Sequence, residues 1–200
     1  MLHDQTQDIA MQLLVNQTRR AALAGPALAA AHRRLGAALA PFVAARLTLR
    51  EVPLDHVAGR SVGVELAPDD EPIIVVLMRA GLFVAEGLWE VLGSGALVPW
   101  AGDPDELANV PVEGRPLVVV DAVINSGRSI DSALEALLPR RPSSTSVVAL
   151  VANNEGLNTA VDRWSQVDFV VARVSQRSYV GRGGTDTGAR LFGTTTWVGE

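Results

Sequence analysis

From Leu117 a run of apolar, mostly β-branched residues ends in Asp121, and Ala122-Val-Ile then lead into a short loop, Asn125-Ser-Gly-Arg-Ser129, before a helical pattern that runs to Leu138. That order sets a phosphate-sized anion at the C-terminal edge of a buried strand. The loop N–H groups of Asn125, Ser126, Gly127, Arg128 and Ser129 point at the anion, and the dipole of the following helix favours it. Asp121, at the strand's end, can accept hydrogen bonds from sugar hydroxyls just above. A carboxylate beside a phosphate nest is what a ribose 5-phosphate group requires. The plainer alternative is an ordinary strand–loop–helix turn capped by Ser126 or Ser129. Neither G-x-x-x-x-G-K-[ST] nor a G-x-G-x-x-G opening a helix after a strand is present.

A second candidate is Arg79, which follows the apolar run Ile73–Met78 and precedes Ala80 and Gly81. An arginine at the end of a buried strand belongs either to a ligand, since open α/β sheets bind ligands at the carboxyl ends of strands, or to an ion pair across the sheet edge. A third is the Gly-rich stretch Ser178–Gly188, where glycines allow close backbone approach. Cysteine and lysine are both absent, which excludes thiolate and Schiff-base chemistry. His3, His32 and His56 all lie in the N-terminal third, outside these segments, and are expected at the surface. Net charge is −5 without a basic block, which argues against nucleic-acid binding. No apolar run reaches membrane-spanning length and no signal-peptide pattern opens the chain; with no cysteine, this fits a cytoplasmic protein.

The elements that must position these residues read as follows. Helices are predicted over 5–24 and 27–46, split by Gly25-Pro26, with Arg33 and Arg34 on a solvated face of the second. From Ser61 a βαβ pattern predicts strands at 61–66, 73–78, 95–99, 117–121, 146–152 and 167–173, and helices at 82–92, 129–138 and 155–164. Continuously apolar strands separated by helices imply a mainly parallel sheet covered on both faces. The expected organisation is one domain over residues 1–200: a helical N-terminal arm at 1–58, then an α/β core and a C-terminal loop at 59–200.

Three segments together resemble the uracil phosphoribosyltransferase family. Asp121–Ser129 resembles the phosphoribosyl diphosphate (PRPP) loop of type I phosphoribosyltransferases. Ile73–Leu82 resembles the strand leading into that family's R-A-G-L diphosphate loop. Ser178–Thr194 resembles its uracil loop, usually close to G-Y-x-x-P-G-L-G-D-A-G-D-R-x-F-G-T. The resemblance implies the type I phosphoribosyltransferase fold, a twisted, mainly parallel sheet flanked by helices. It implies transfer of phosphoribose from PRPP to uracil or a related base with Mg²⁺, giving a nucleoside monophosphate and diphosphate, in a homodimer or larger assembly. Arg79, Asp121 and Asp186 would be the catalytic residues. PRPP would meet Arg79, Ala80, Gly81, Asp121 and Asn125–Ser129, and the base would meet Tyr179, Val180, Gly184, Thr185, Asp186, Thr187 and Gly188. Asp186 would lie near the metal. The resemblance also implies an unusual backbone conformation beside Arg79.

Departures from the family pattern leave the outcome open. Arg128 replaces the second Gly of A-T-G-G-S, a position that is either phosphate-binding or simply a solvated first-turn residue. Arg182, Gly184, Thr185 and Thr187 replace Pro, Leu, Gly and Ala in the base loop. The family's basic hairpin after the strand at 95–99 is replaced by a short acidic loop, Trp100–Pro111, and no arginine occurs from 80 through 114. Like charges in a dry site cost several kcal/mol. Either another arginine compensates, with Arg46 and Arg182 as candidates, or turnover is weakened. The rivals to uracil transfer are therefore a different base, or a PRPP- or nucleotide-binding regulator without turnover.

Overall fold

The computed structural model describes residues 1–179 and 181–195. Its main sheet has six strands, all parallel: β1 (Leu2–Asp4), β4 (Ile73–Leu77), β5 (Ala96–Trp100), β6 (Pro116–Ile124), β7 (Ser144–Asn153) and β8 (Asp168–Ser175), in the order β1-β8-β7-β6-β4-β5. The apolar runs seen in the sequence are buried on both faces, as parallel sheets require. Ile73, Val75, Leu117 and Val119 pack under α4 (Arg128–Leu137) and α5 (Asn154–Arg163). Ile74, Val76, Val118 and Val120 pack on the opposite face, under α1 (Ile9–Thr18), α2 (Gly25–Ala44) and α3 (Leu82–Leu92).

The N-terminal region differs from the expectation in informative ways. Strand β1 joins the main sheet beside β8, with Leu2 opposite Phe169. Helix α1 is shorter than predicted: it starts only after Asp8, which caps it by accepting from the Met11 N–H at 2.7 Å, and it ends at Thr18. Gly25-Pro26 does not separate two helices; Pro26 opens α2, where its missing N–H has no intrahelical role. Arg33 is not merely solvated. It pairs with Glu86 of α3 at 2.6 Å and lies 4.7 Å over the Phe83 ring. His32 is buried, contrary to its expected surface position.

The predicted strand at 61–66 is real but lies outside the main sheet. It belongs to β3 (Gly59–Leu66), antiparallel to β2 (Leu49–His56) in a separate two-stranded ribbon. Both strands of the ribbon are largely exposed, including Leu54, Val62 and Val64. A sixth short helix, α6 (Thr187–Leu191), follows the Gly-rich loop.

Helices α2 and α3 touch backbone to backbone through reciprocal glycines. A Cβ on Gly36 would fall 2.0 Å from the Val84 carbonyl oxygen, and one on Gly87 would fall 2.0 Å from that of Arg33. Gly36→Ala should therefore destabilise the protein despite alanine's better helix propensity of about 1 kcal/mol. Overpacking a methyl against a backbone carbonyl costs about 1–3 kcal/mol or more, and at a 2.0 Å approach this outweighs the gain. A lowered midpoint in urea unfolding is the expected result; a raised midpoint would show that the helices can separate freely.

Candidate active site

Strand order reverses between β4 and β6: β4 leads outward to β5, while β6 leads the other way to β7 and β8. Crevices open at such switch points, at the carboxyl ends of the strands. Here the β4–β6 ladder stops at Val76 opposite Val120, and β6 continues to Ile124 paired with β7 alone. Asp121 is thus inside a strand rather than at its end, but it is the first β6 residue past the end of that ladder. Both candidate loops leave the sheet at this crevice.

The first is the turn after β4. The Met78–Arg79 peptide is cis, the unusual backbone implied beside Arg79. Only glycine fits at position 81, where a Cβ would lie 2.6 Å from the Val120 carbonyl oxygen. The Gly81 N–H already donates to the Leu77 carbonyl (3.1 Å), so Ala80 supplies the turn's available N–H. Arg79 is about half exposed and approaches Asp186 at 3.6 Å. It touches an acid, as the ion-pair alternative had it, but the acid is itself a candidate site residue.

The second loop is the turn after β6. Gly127 takes φ 77°, a left-handed conformation that favours glycine, and caps α4. The first-turn N–H groups of α4 have no intrahelical acceptor, and the Arg128 and Ser129 side chains are exposed beside them. Asp121, Arg128 and Ser129 line a cleft of about 240 Å³ with Met78, Trp100 and Gly102. Burial pushes the Asp121 carboxyl up to about 7, against the pull of N–H groups from Ala122 (2.6 Å) and Val123 (3.5 Å).

Asn125 has a different engagement from the one expected of it. Its side chain bonds the backbone of Tyr179, donating to the Tyr179 carbonyl and accepting from its N–H at 3.1 Å. The turn after β6 thereby holds the C-terminal loop. In that loop the Tyr179 hydroxyl donates to the Thr185 carbonyl. The Thr185 hydroxyl bonds the N–H and carbonyl of Arg182, both at 3.0 Å. Thr187, by contrast, lines a second cavity. Asp186 caps α6 through the Ala189 N–H (2.6 Å), and Gly188 packs against Arg79. Val180 lies outside the described residues, and Gly184 sits in the turn before Asp186.

The acidic loop folds onto the α4 side of the sheet instead of extending as a hairpin. The Trp100 indole donates to the Asp103 carbonyl (2.6 Å), Leu107 is buried, and Arg140 donates to the Leu107 carbonyl (2.7 Å). Arg46 does not compensate its charge: it pairs with Asp168 (3.3 Å) at the start of β8, next to the far edge strand β1.

The uracil phosphoribosyltransferase family model matches residues 5–194. The chain belongs to that family. A uracil phosphoribosyltransferase of Lactobacillus delbrueckii subsp. bulgaricus is 30% identical over 162 residues, 74% of this chain and 77% of that protein. One from Halalkalibacterium halodurans is 29% identical over 173 residues, 79% and 82% of the two chains. The AQ2163 protein from Aquifex aeolicus shares the fold, with a TM-score of 0.81 and 21% identity over 98% of this chain and 100% of that one. This uracil phosphoribosyltransferase-like pentosyltransferase thus has the type I phosphoribosyltransferase fold expected of it.

Several residues gathered at the crevice were not singled out from the sequence. Arg19, His32, Arg173, Arg177 and Arg190 line the second cavity, about 390 Å³, on the α1/α2 side of β6. The spacing of Leu28, His32, Leu35 and Leu39 places His32 on the buried stripe of α2, a signal present in the sequence. Arg19 and Arg173 meet only through the tertiary fold.

The raised carboxyl of Asp121 has a stability consequence. Its folded-state value of about 7 exceeds the ordinary 3.8, so the folded protein binds the extra proton between those values. That stabilisation is complete below about 3.8 and is lost as pH rises through about 7. Asp121→Asn should therefore raise the melting temperature at pH 8 relative to the parent, with the gap closing toward pH 4. A pH-independent difference would show that Asp121 ionises normally. Asn125→Ala should release the Tyr179 loop by about 1–3 kcal/mol, seen as faster tryptic cleavage at Arg177 and Arg182. Unchanged cleavage would mean that other contacts hold the loop.

Proposed function

We propose that this protein transfers phosphoribose from PRPP to uracil or a related nucleobase, releasing diphosphate and a nucleoside 5′-monophosphate. The observation that carries the reading is the convergence of the Arg79 turn, Asp121 and the α4 N-terminus at one sheet crevice, beside a loop holding Tyr179 and Asp186. The 5-phosphate sits on the N–H groups at the start of α4, with Ser126, Arg128 and Ser129 around it. Asp121 accepts from the ribose hydroxyls, and Arg79 with the Ala80 N–H holds the diphosphate. A base nitrogen attacks C1 as the bond from C1 to diphosphate breaks, and the base loses its N–H proton. The chain supplies positioning and charge rather than a nucleophile.

Mg²⁺ suits the site if it arrives with PRPP. Among the described residues no three His, Asp or Glu side chains converge to hold a metal alone. The hard oxygen donors of Asp121 and Asp186 fit that ion beside substrate oxygens. When bound it would offset charge on the departing diphosphate. The reading includes a homodimer or larger assembly, supported by the exposed Leu54, Val62 and Val64 on the β2–β3 ribbon.

A PRPP-binding regulator without turnover is the second reading. The acidic loop favours it, because Asp103, Asp105 and Glu106 stand exposed just past the cleft-lining Gly102, with no basic residue among them. Diphosphate and monophosphate release from PRPP, Mg²⁺ and uracil or other bases decides between them. Release is expected; PRPP binding without release on any base selects the regulator, and no PRPP binding overturns both. Arg79→Lys should weaken diphosphate binding about tenfold or more, because charge is kept but the planar fork is lost. A lowered melting temperature with intact binding would make Arg79 structural only.

A further inference from the structure

The two cavities flank β6 one residue apart. Asp121 faces the phosphate cleft, while Ala122 and Val123 line the second cavity beneath Tyr179 and Thr187. The phosphoribosyltransferase reading places the base of a ribose held over Asp121 in that second cavity. Its volume of about 390 Å³ suits one planar ring with a substituent.

Its charge does not suit plain uracil. Eight of the seventeen arginines are held in ion pairs among the described residues. Arg19, Arg173, Arg177 and Arg190 are in none of them, and all four line this cavity, whose wall holds no acidic residue among the described residues. Burial, then the charge of Arg19, press Arg173 below its ordinary value. Arg190 is committed in part, donating to the carbonyls of Arg20 (3.0 Å) and Leu23 (2.6 Å), yet its Nε has no partner. His32 is 3% exposed and its Nδ1 also lacks a partner. Burial first and Arg190 second hold His32 at about 4, so it is a neutral imidazole with an unused hydrogen-bonding nitrogen. Buried polar groups ordinarily find partners, and gathered cations ordinarily face an anion.

We propose that the acceptor is a nucleobase carrying an anionic substituent, a carboxylate in the simplest case, received by Arg173 with Arg19 and Arg177 while His32 bonds the ring edge. This rests on the phosphoribosyltransferase reading and narrows its substrate. A neutral base leaves the arginines facing one another across a cavity screened only by water. A carboxylated base neutralises them and forms charge-assisted, forked bonds.

The test uses uracil, 5-carboxyuracil and 6-carboxyuracil. Turnover of each with PRPP and Mg²⁺ is compared. Calorimetric binding of each is measured with ribose 5-phosphate and diphosphate present. At least one carboxyuracil should exceed uracil roughly tenfold or more, in kcat/KM or in affinity, as expected of a charged hydrogen bond. Arg173→Gln and, on the exposed loop, Arg177→Gln should each reduce that preference ratio severalfold. Equal or better use of uracil by the parent protein overturns the inference and leaves phosphoribosyl transfer standing. So does a preference that survives both substitutions. Failure of ribose 5-phosphate, diphosphate and PRPP to bind overturns the transferase reading itself, whatever the bases do.

Discussion

Everything at this site depends on two neighbouring strands parting company. While β4 and β6 share a ladder, their backbone groups are consumed and their side chains are committed to the two cores. Once β4 turns away after Leu77, β6 runs on with one side unpaired. The groups freed there cannot remain buried without partners. The chain meets that demand with a tight turn at Gly81, a helix N-terminus after Gly127 and a carboxylate between them. Polar groups are tolerated at this level because the β4–β6 ladder has ended and one side of β6 is open.

The three loops around the crevice are coupled to one another. Arg79 approaches Asp186, and Asn125 clasps Tyr179 through two bonds. Diphosphate arriving at Arg79 would compete with Asp186 for the same guanidinium, and Asp186 also caps α6. Occupancy of the diphosphate position is therefore felt in the loop that would cover the base. Asn125 adds a link in the other direction, joining the phosphate turn to that loop. Electrostatic contrast separates the two sides of β6: the cleft on the α4 side holds Asp121 with Arg128, whereas the cavity behind, among the described residues, holds arginines without a carboxylate.

The site was legible wherever chemistry is carried by consecutive residues. Asp121 to Ser129 and Arg79 to Gly81 could be read because strand, turn and helix signals adjoin them. The core strands were legible for the same reason, since burial on both faces leaves an uninterrupted apolar run. The β2–β3 ribbon was half missed because neither strand has a buried face to impose a pattern. Strand β1 spans only three residues and has no signal of its own. His32 was misplaced although its helical spacing with Leu28 and Leu35 was in plain view. The meeting of Arg19, at the end of α1, with Arg173, inside β8, is a property of the fold alone.

The edge strand has a temporal consequence. Leu2–Asp4 are made long before their partners Phe169–Val171. The sheet's interior can assemble in the order of synthesis, strand by adjacent strand from β6 to β8. Its β1 edge cannot close until β8 has emerged. Helix α1 packs Met11 and Val15 onto the sheet just after β1, so this segment must wait for β8 with apolar groups uncovered. Long-range closure of this kind slows folding and leaves a nascent chain open to chaperones.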